Sequence, residues 1–201
     1  MSGGGAEDIR RRSADSFGRA VLRSYNGSMS RLPYIRPEPP EPPTREQLLR
    51  DLQTSQTQVI RLLQSMAEVQ DWQPEPAEWS FRLIAAHLAT VEQACHLQRV
   101  MEIASGGTPL LDRYANHHVA PAAAGIDESL RQWRAVRRRL IAFVSELSEA
   151  QLAYIGIHQA VGPMTVLDTL QELLDQDRGN LRHVCQLIAA YHEEALQTHR
   201  V

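Results

Sequence analysis

The sequence predicts an all-α protein, a four-helix bundle, and three observations carry that expectation. Four long stretches, about residues 45–70, 79–104, 127–147 and 165–197, repeat apolar residues at alternating spacings of three and four, the period of one helix face. Proline and glycine cluster between these stretches and break them apart. No segment alternates apolar and polar residues with the two-residue period of a half-buried strand.

The chain opens differently. Gly3, Gly4 and Gly5 stand near the start, and Arg36 to Pro43 reads RPEPPEPP. Prolines at that density remove backbone donors and impose an extended polyproline path. Residues 1–44 are therefore expected to be a flexible, Pro-rich N-terminal arm, disordered or extended, with a weakly amphipathic helix over 6–24 as its one candidate element. Met29 offers an alternative translation start. The helical domain is expected over 45–197, with 198–201 as a tail.

The first helix starts at a capping box, Thr44 with Gln47 three residues on. Its stripe is Leu49, Leu52, Gln56, Val59, Leu63 and Met66, and Pro74 and Pro76 end it. The second helix turns Ile84, Leu88, Val91 and Cys95 inward and stops at Gly106, Gly107 and Pro109. Residues 105–125 read as a long loop able to cover a bundle end and build a site. The third helix takes Asp127 as its N-cap and buries Leu130, Trp133, Val136, Leu140 and Val144. Ser148 with Gln151 caps a short turn, and 155–164 forms a connection with extended character. The fourth helix starts at Thr165, and Leu167, Leu170, Leu174, Leu181, Val184, Ile188 and Tyr191 make its stripe, with Asp177 as the one charged member.

Composition narrows the function. A 43% hydrophobic, 22% charged chain is ordinary for a globular protein, and a net charge of −3 gives no support for a nucleic-acid surface. All 21 basic residues are arginine, as codon bias in a GC-rich, bacterial-type genome would produce. Arg131, Arg134, Arg137, Arg138 and Arg139 spread around more than one helix face and read as a solvated face. No run of 18 apolar residues exists to span a membrane, and no apolar stretch after Arg10–Arg12 makes a signal peptide. Cys95 and Cys185 form no CxxC and read as buried free thiols of a reducing, cytoplasmic compartment. No G-x-S-x-G, Walker A or GxGxxG motif is present. Trp72, Trp79 and Trp133 read as core anchors.

Trp79-Ser80 opens the second helix, followed by Ala86-His87-Leu88 and Glu92; later, Gly162-Pro163-Met164-Thr165-Val166 leads into Leu170, Leu173, Asp177-Arg178 and Leu181-Arg182. This order, over roughly 45–197, resembles the DinB/YfiT superfamily, whose members carry a W-S-x-x-E-x-x-x-H-L segment and a late H-x-x-x-H segment. The resemblance implies a bundle in which one histidine of the second helix and two of the fourth hold a divalent metal, zinc or nickel. It also implies hydrolase or thiol S-transferase chemistry and, by analogy, a homodimer. Carried over residue by residue, the ligand positions fall on His87, Gln176 and Asn180. Two carboxamides are poor donors for a borderline cation beside imidazoles. The expectation is thus a degenerate metal site with no cofactor, and a pocket for a small molecule or a dimer-forming role. The alternative is an active zinc or nickel enzyme in which His87 recruits His183, Glu172 or Asp175.

The remaining candidates are pocket residues. His158 precedes Gly162-Pro163 and would stand near the bundle mouth. Asp177 either pairs with an arginine inside the bundle or faces a cavity, since a buried unpaired carboxylate is costly. His183 stands at the edge of the fourth stripe. His117-His118, His192 and His199 read as solvated histidines.

Overall fold

The computed structural model describes residues 41–111 and 124–198, with Leu111 described by its backbone alone. The expected helix over 6–24, the start at Met29, most of the arm, His117-His118 and His199 lie outside them. The chain separates into Met1–Glu41 and Pro42–Val201, and every element below belongs to the second unit.

Helix α1 spans Arg45–Ser65 and begins at the expected capping box: the Thr44 hydroxyl accepts from the Gln47 backbone N–H, and the Gln47 side chain accepts from the Thr44 N–H. Such a cap stabilises a helix start by about 1 kcal/mol. A single 3₁₀ turn, Ala67–Val69, continues the helical path that the sequence carried to residue 70. The buried face is Leu48, Leu52, Ser55, Gln56, Val59, Ile60 and Leu63. Leu48, and not Leu49, points inward; Leu49 packs at the margin of the core.

The second rod is continuous but not uniform. It runs as α2 (Phe81–Val91), one π-turn (Glu92–His96) and α3 (Leu97–Ala104). Ser80 caps it by accepting from the Leu83 N–H. Helix α4 spans Ile126–Ser145, two residues earlier than an Asp127 cap would allow. Gly125 is the N-cap, and the Gln70 side chain, 56 residues away, accepts from the Ile126 N–H at 2.8 Å. The cap is tertiary, which is why local sequence did not reveal it. Ser148 and Gln151 box the short α5, Glu149–Leu152. Helix α6 spans Val166–Thr198, with Thr165 as its cap residue and Asp168 answering it across the first turn.

A small sheet interrupts the otherwise helical chain. β1 (Leu110–Leu111) pairs parallel with β2 (Ile155–His158), which pairs antiparallel with β3 (Gly162–Thr165) in the register His158 opposite Gly162. The extended connection of the sequence is thus a hairpin. Gly162 sits at φ +89°, a conformation a side chain would strain.

Helix α1 packs along α6, and α2 along α4. The core falls into two apolar clusters. One holds Leu52, Leu97, Leu140, Leu170 and Leu174, and the other holds Val59, Phe81, Ile84, Leu130, Trp133 and Val184. On α1 and α6 a polar step separates the residues of the two clusters, Ser55 and Gln56 on the first helix and Asp177 on the last, and on α4 Arg137 stands beside the changeover from Trp133 to Val136. A layer of charge crosses the middle of the bundle.

Candidate functional site

The layer is built around Arg137, which is 1% exposed. This overturns the reading of that arginine as part of a solvated face; Arg138 and Arg139 do face solvent. Its Nε and one terminal nitrogen donate to the Glu92 carboxylate, the latter at 2.8 Å. Both terminal nitrogens donate to Asp177, at 2.8 and 3.2 Å. The Ser55 hydroxyl donates to Asp177 at 2.5 Å, and the Trp133 indole N–H donates to Glu92. Asp177 is therefore paired inside the bundle, with an arginine from α4 and not from its own helix. Burial pushes the Glu92 carboxyl up from the ordinary carboxylate range, with Arg137 and Trp133 pulling it back. The two carboxylates in turn hold Arg137 firmly charged.

The π-turn explains how Glu92 and its neighbours reach this layer. The Leu97 N–H donates to the Glu92 carbonyl five residues back, so one extra residue enters the turn. After Val91, an unbroken α-helix would bring Cys95 inward next; the extra residue brings His96 instead. His96 is 4% exposed, whereas Cys95 is half-buried. Cys185 is exposed, so only one of the two cysteines approaches the expected burial. Burial pushes the Cys95 thiol up, leaving it protonated and a poor nucleophile at neutral pH.

His96 is held neutral. Burial pulls its pKa down to about 3, with Arg99 and Arg137 adding to the effect, while a hydrogen bond with the Gln176 side chain opposes it.

In front of this layer opens a cleft of about 860 Å³, which brings together His87, Gln176 and Asn180 with Arg99 and His158. A smaller chamber of about 30 Å³ lies where His87, His96 and Asn180 meet Glu92 and Asp177, joining the cleft side of the site to the charge layer. His87 is half-buried, with its ring edge-on to Trp79 at 4.6 Å between centroids, and burial lowers its pKa so that it is neutral at pH 7. His158, 7% exposed, stands at the end of β2, where its Nδ1 accepts from the Ala160 and Val161 backbone N–H groups at 3.1 and 3.3 Å. Glu172 and Asp175 line the same cleft from α6, Asp175 also paired with Arg178 at 3.1 Å. His183 is exposed and stands in an adjoining groove of about 370 Å³, shared with Trp79, His87 and Asn180. His192 is solvated as expected.

The donor set offers a transition metal little. Among the described residues, no three His, Cys, Asp or Glu side chains come together as a group able to hold an ion. Of the three family-equivalent positions only His87 supplies an imidazole; Gln176 and Asn180 supply carboxamides, weak donors for a borderline cation. The family-equivalent positions thus present one imidazole and two carboxamides.

Sequence reasoning missed His96, Arg99 and Arg137. His96 lies nine residues after His87, about two beyond two regular helical turns, so its place depends on the π-turn. Arg137 was hidden among four other arginines. Its one signal was Asp177, a charge in a stripe that required a partner.

A DinB superfamily model matches residues 67–184, more than half of the chain. Among solved structures the fold is similar to YfiT from Bacillus subtilis, described as a probable metal-dependent hydrolase with an unusual four-helix bundle topology. The TM-score is 0.61 at 18% identity, over 75% of this chain and 90% of YfiT. At that identity the likeness is one of fold. No curated protein matches the chain.

Proposed function

This chain belongs to the DinB superfamily, and we propose that it is a member whose inherited metal position has become a pocket for a small molecule. One observation carries the reading. His87, Gln176 and Asn180 line one cleft, yet two of the three are carboxamides. Amide oxygens are weak, hard donors, so a site of this composition loses most of its affinity for zinc or nickel. What persists is a concavity within the 300–1,000 Å³ range typical of small-molecule pockets. Its polar groups converge from α2, α3, α6 and the hairpin.

The residues present can bind and orient a ligand. His87, neutral at pH 7, can accept or donate one hydrogen bond at the cleft floor. His158, anchored through Nδ1 by the hairpin turn, presents its Nε2–H as a donor.

Metal analysis of the purified protein tests the reading. The wild type is expected to carry well under one equivalent of zinc or nickel, unchanged in His87→Ala. A double variant, Gln176→His with Asn180→His, restores imidazoles at i and i+4 and is expected to take up close to one equivalent. Near-stoichiometric metal in the wild type, lost in His87→Ala, overturns the pocket reading and favours a metal-dependent hydrolase or S-transferase that recruits Glu172 or Asp175 from the same cleft.

A further inference from the structure

We propose that the groove beside Trp79 binds a small organic ammonium, its cationic head next to Glu78 and its apolar or aromatic body against Trp79 and Ile84. The groove adjoins the cleft, with His87 and Asn180 bordering both, and the inference does not depend on what the cleft holds.

At about 370 Å³ the groove falls within the range of small-molecule pockets. Its walls come from the segment before α2, from α2 and from α6. Trp79 is half-buried: one part packs at the margin of the apolar cluster that holds Ile84, and the rest borders the groove. The other two tryptophans donate their indole N–H to carboxylates, Trp133 to Glu92 and Trp72 to Glu194, the latter at 3.3 Å. Among the described residues the Trp79 indole N–H has no such acceptor. The Glu78 carboxylate and the side chains of Asn180 and His183 likewise enter no hydrogen bond or ion pair there. Uncommitted polar groups thus converge on one aromatic and aliphatic wall, the make-up of a ligand site.

Charge decides the ligand class. Among the described lining residues Glu78 is the one acid, and no arginine is present. Arg82, close by on α2, is ion-paired with Asp71, and Arg182, next to His183 on α6, stands outside the lining. The first N–H groups of α2 would otherwise draw an anion to this end of the helix. They are engaged within the protein: the Arg82 N–H donates to the Gln70 carbonyl at 2.9 Å and the Leu83 N–H to the Ser80 hydroxyl at 3.3 Å. An indole face is the best aromatic partner for a cation, so an ammonium on an apolar body satisfies Trp79 and Glu78 together. A neutral ligand would gain the wall alone, and an anion would meet the carboxylate.

Titration calorimetry on the chelator-treated full chain with phenethylamine, phenethyl alcohol and phenylpropanoate tests the inference, since the three share an aromatic body and differ in the charge of the head. The amine is expected to bind about three-fold or more tightly than either of the others, the modest gain that an exposed ion pair and a cation–π contact supply. Glu78→Gln is expected to bring the amine level with the alcohol; Glu78 is exposed, and native helix content in the variant is checked by circular dichroism. An NMR titration gives the location. The Trp79 indole N–H signal, identified by its disappearance in Trp79→Phe, is expected to move on addition of the amine, while that of the buried Trp133 stays in place. Equal binding of amine and alcohol, a preference for the acid, binding of none of the three, or a preference that survives in Glu78→Gln overturns the inference. So does amine binding that leaves the Trp79 signal unmoved, which would put the amine in the cleft beside Glu172 instead. The chelator keeps any metal out of the comparison, so this outcome and that of the metal analysis are independent.

Discussion

Arg137 is the residue on which most of the buried charge depends. A guanidinium taken out of water is expensive, and it is tolerated here because Glu92, Asp177 and the Leu52 carbonyl all accept from it. Truncation to alanine would leave two buried carboxylates facing each other without a cation. Arg137→Ala is therefore expected to destabilise the fold by about 3–5 kcal/mol in urea unfolding. Arg137→Lys keeps the charge but not the two-sided fork and should fall between the alanine variant and wild type. Equal stability of wild type and Arg137→Ala would show that the ion cluster contributes nothing. Trp133 has a smaller part: Trp133→Phe keeps most of the ring in the core but deprives Glu92 of a donor, a loss of about 1–3 kcal/mol.

At the scale of elements, the π-turn and the hairpin do what the regular helices cannot. The turn brings Glu92 and His96 to the site from one rod, and the hairpin fixes His158 through its own backbone. Gly162 is the hairpin's weak point. At φ +89° a Cβ meets no neighbour within 4 Å, so the obstacle to a side chain is the backbone conformation alone. Gly162→Ala is expected to cost about 1–2 kcal/mol and to disturb the His158 resonances in an NMR spectrum; an unshifted His158 ring would contradict the coupling. This contrast also marks what the sequence could reveal. The stripes of α1, α4 and α6, the boxes at Thr44 and Ser148, and the need of Asp177 for a partner were all legible, because each is a local pattern or a local cost. The identity of that partner, the cap supplied by Gln70 and the inward turn of His96 were not. Each depends on a residue distant in the chain or on one extra residue in a turn that leaves no periodic mark.

For the molecule as a whole, a charged layer between two apolar clusters makes stability depend on pH in a way the net charge does not predict. His96 is the group to follow. Its pKa is about 3 in the folded state against an ordinary value of 6.5, so the unfolded chain binds the proton first as the solution is acidified. The stability it contributes is fully present above about pH 6.5 and is lost as pH falls toward 3, in total on the order of 4–5 kcal/mol. Glu92 acts in the opposite sense, since burial raises its pKa and its contribution diminishes as pH climbs above 4.5. The raw acid profile of the protein is thus a partial cancellation, and a difference between two chains isolates one side of it. His96→Gln keeps a polar side chain at this position but does not titrate, and it leaves Glu92 in place. Between pH 7.5 and 5.0 the wild type is expected to lose about 2 kcal/mol more stability than His96→Gln, measured by urea unfolding at each pH. Parallel losses in the two chains would mean that His96 is charged inside the bundle or reaches water.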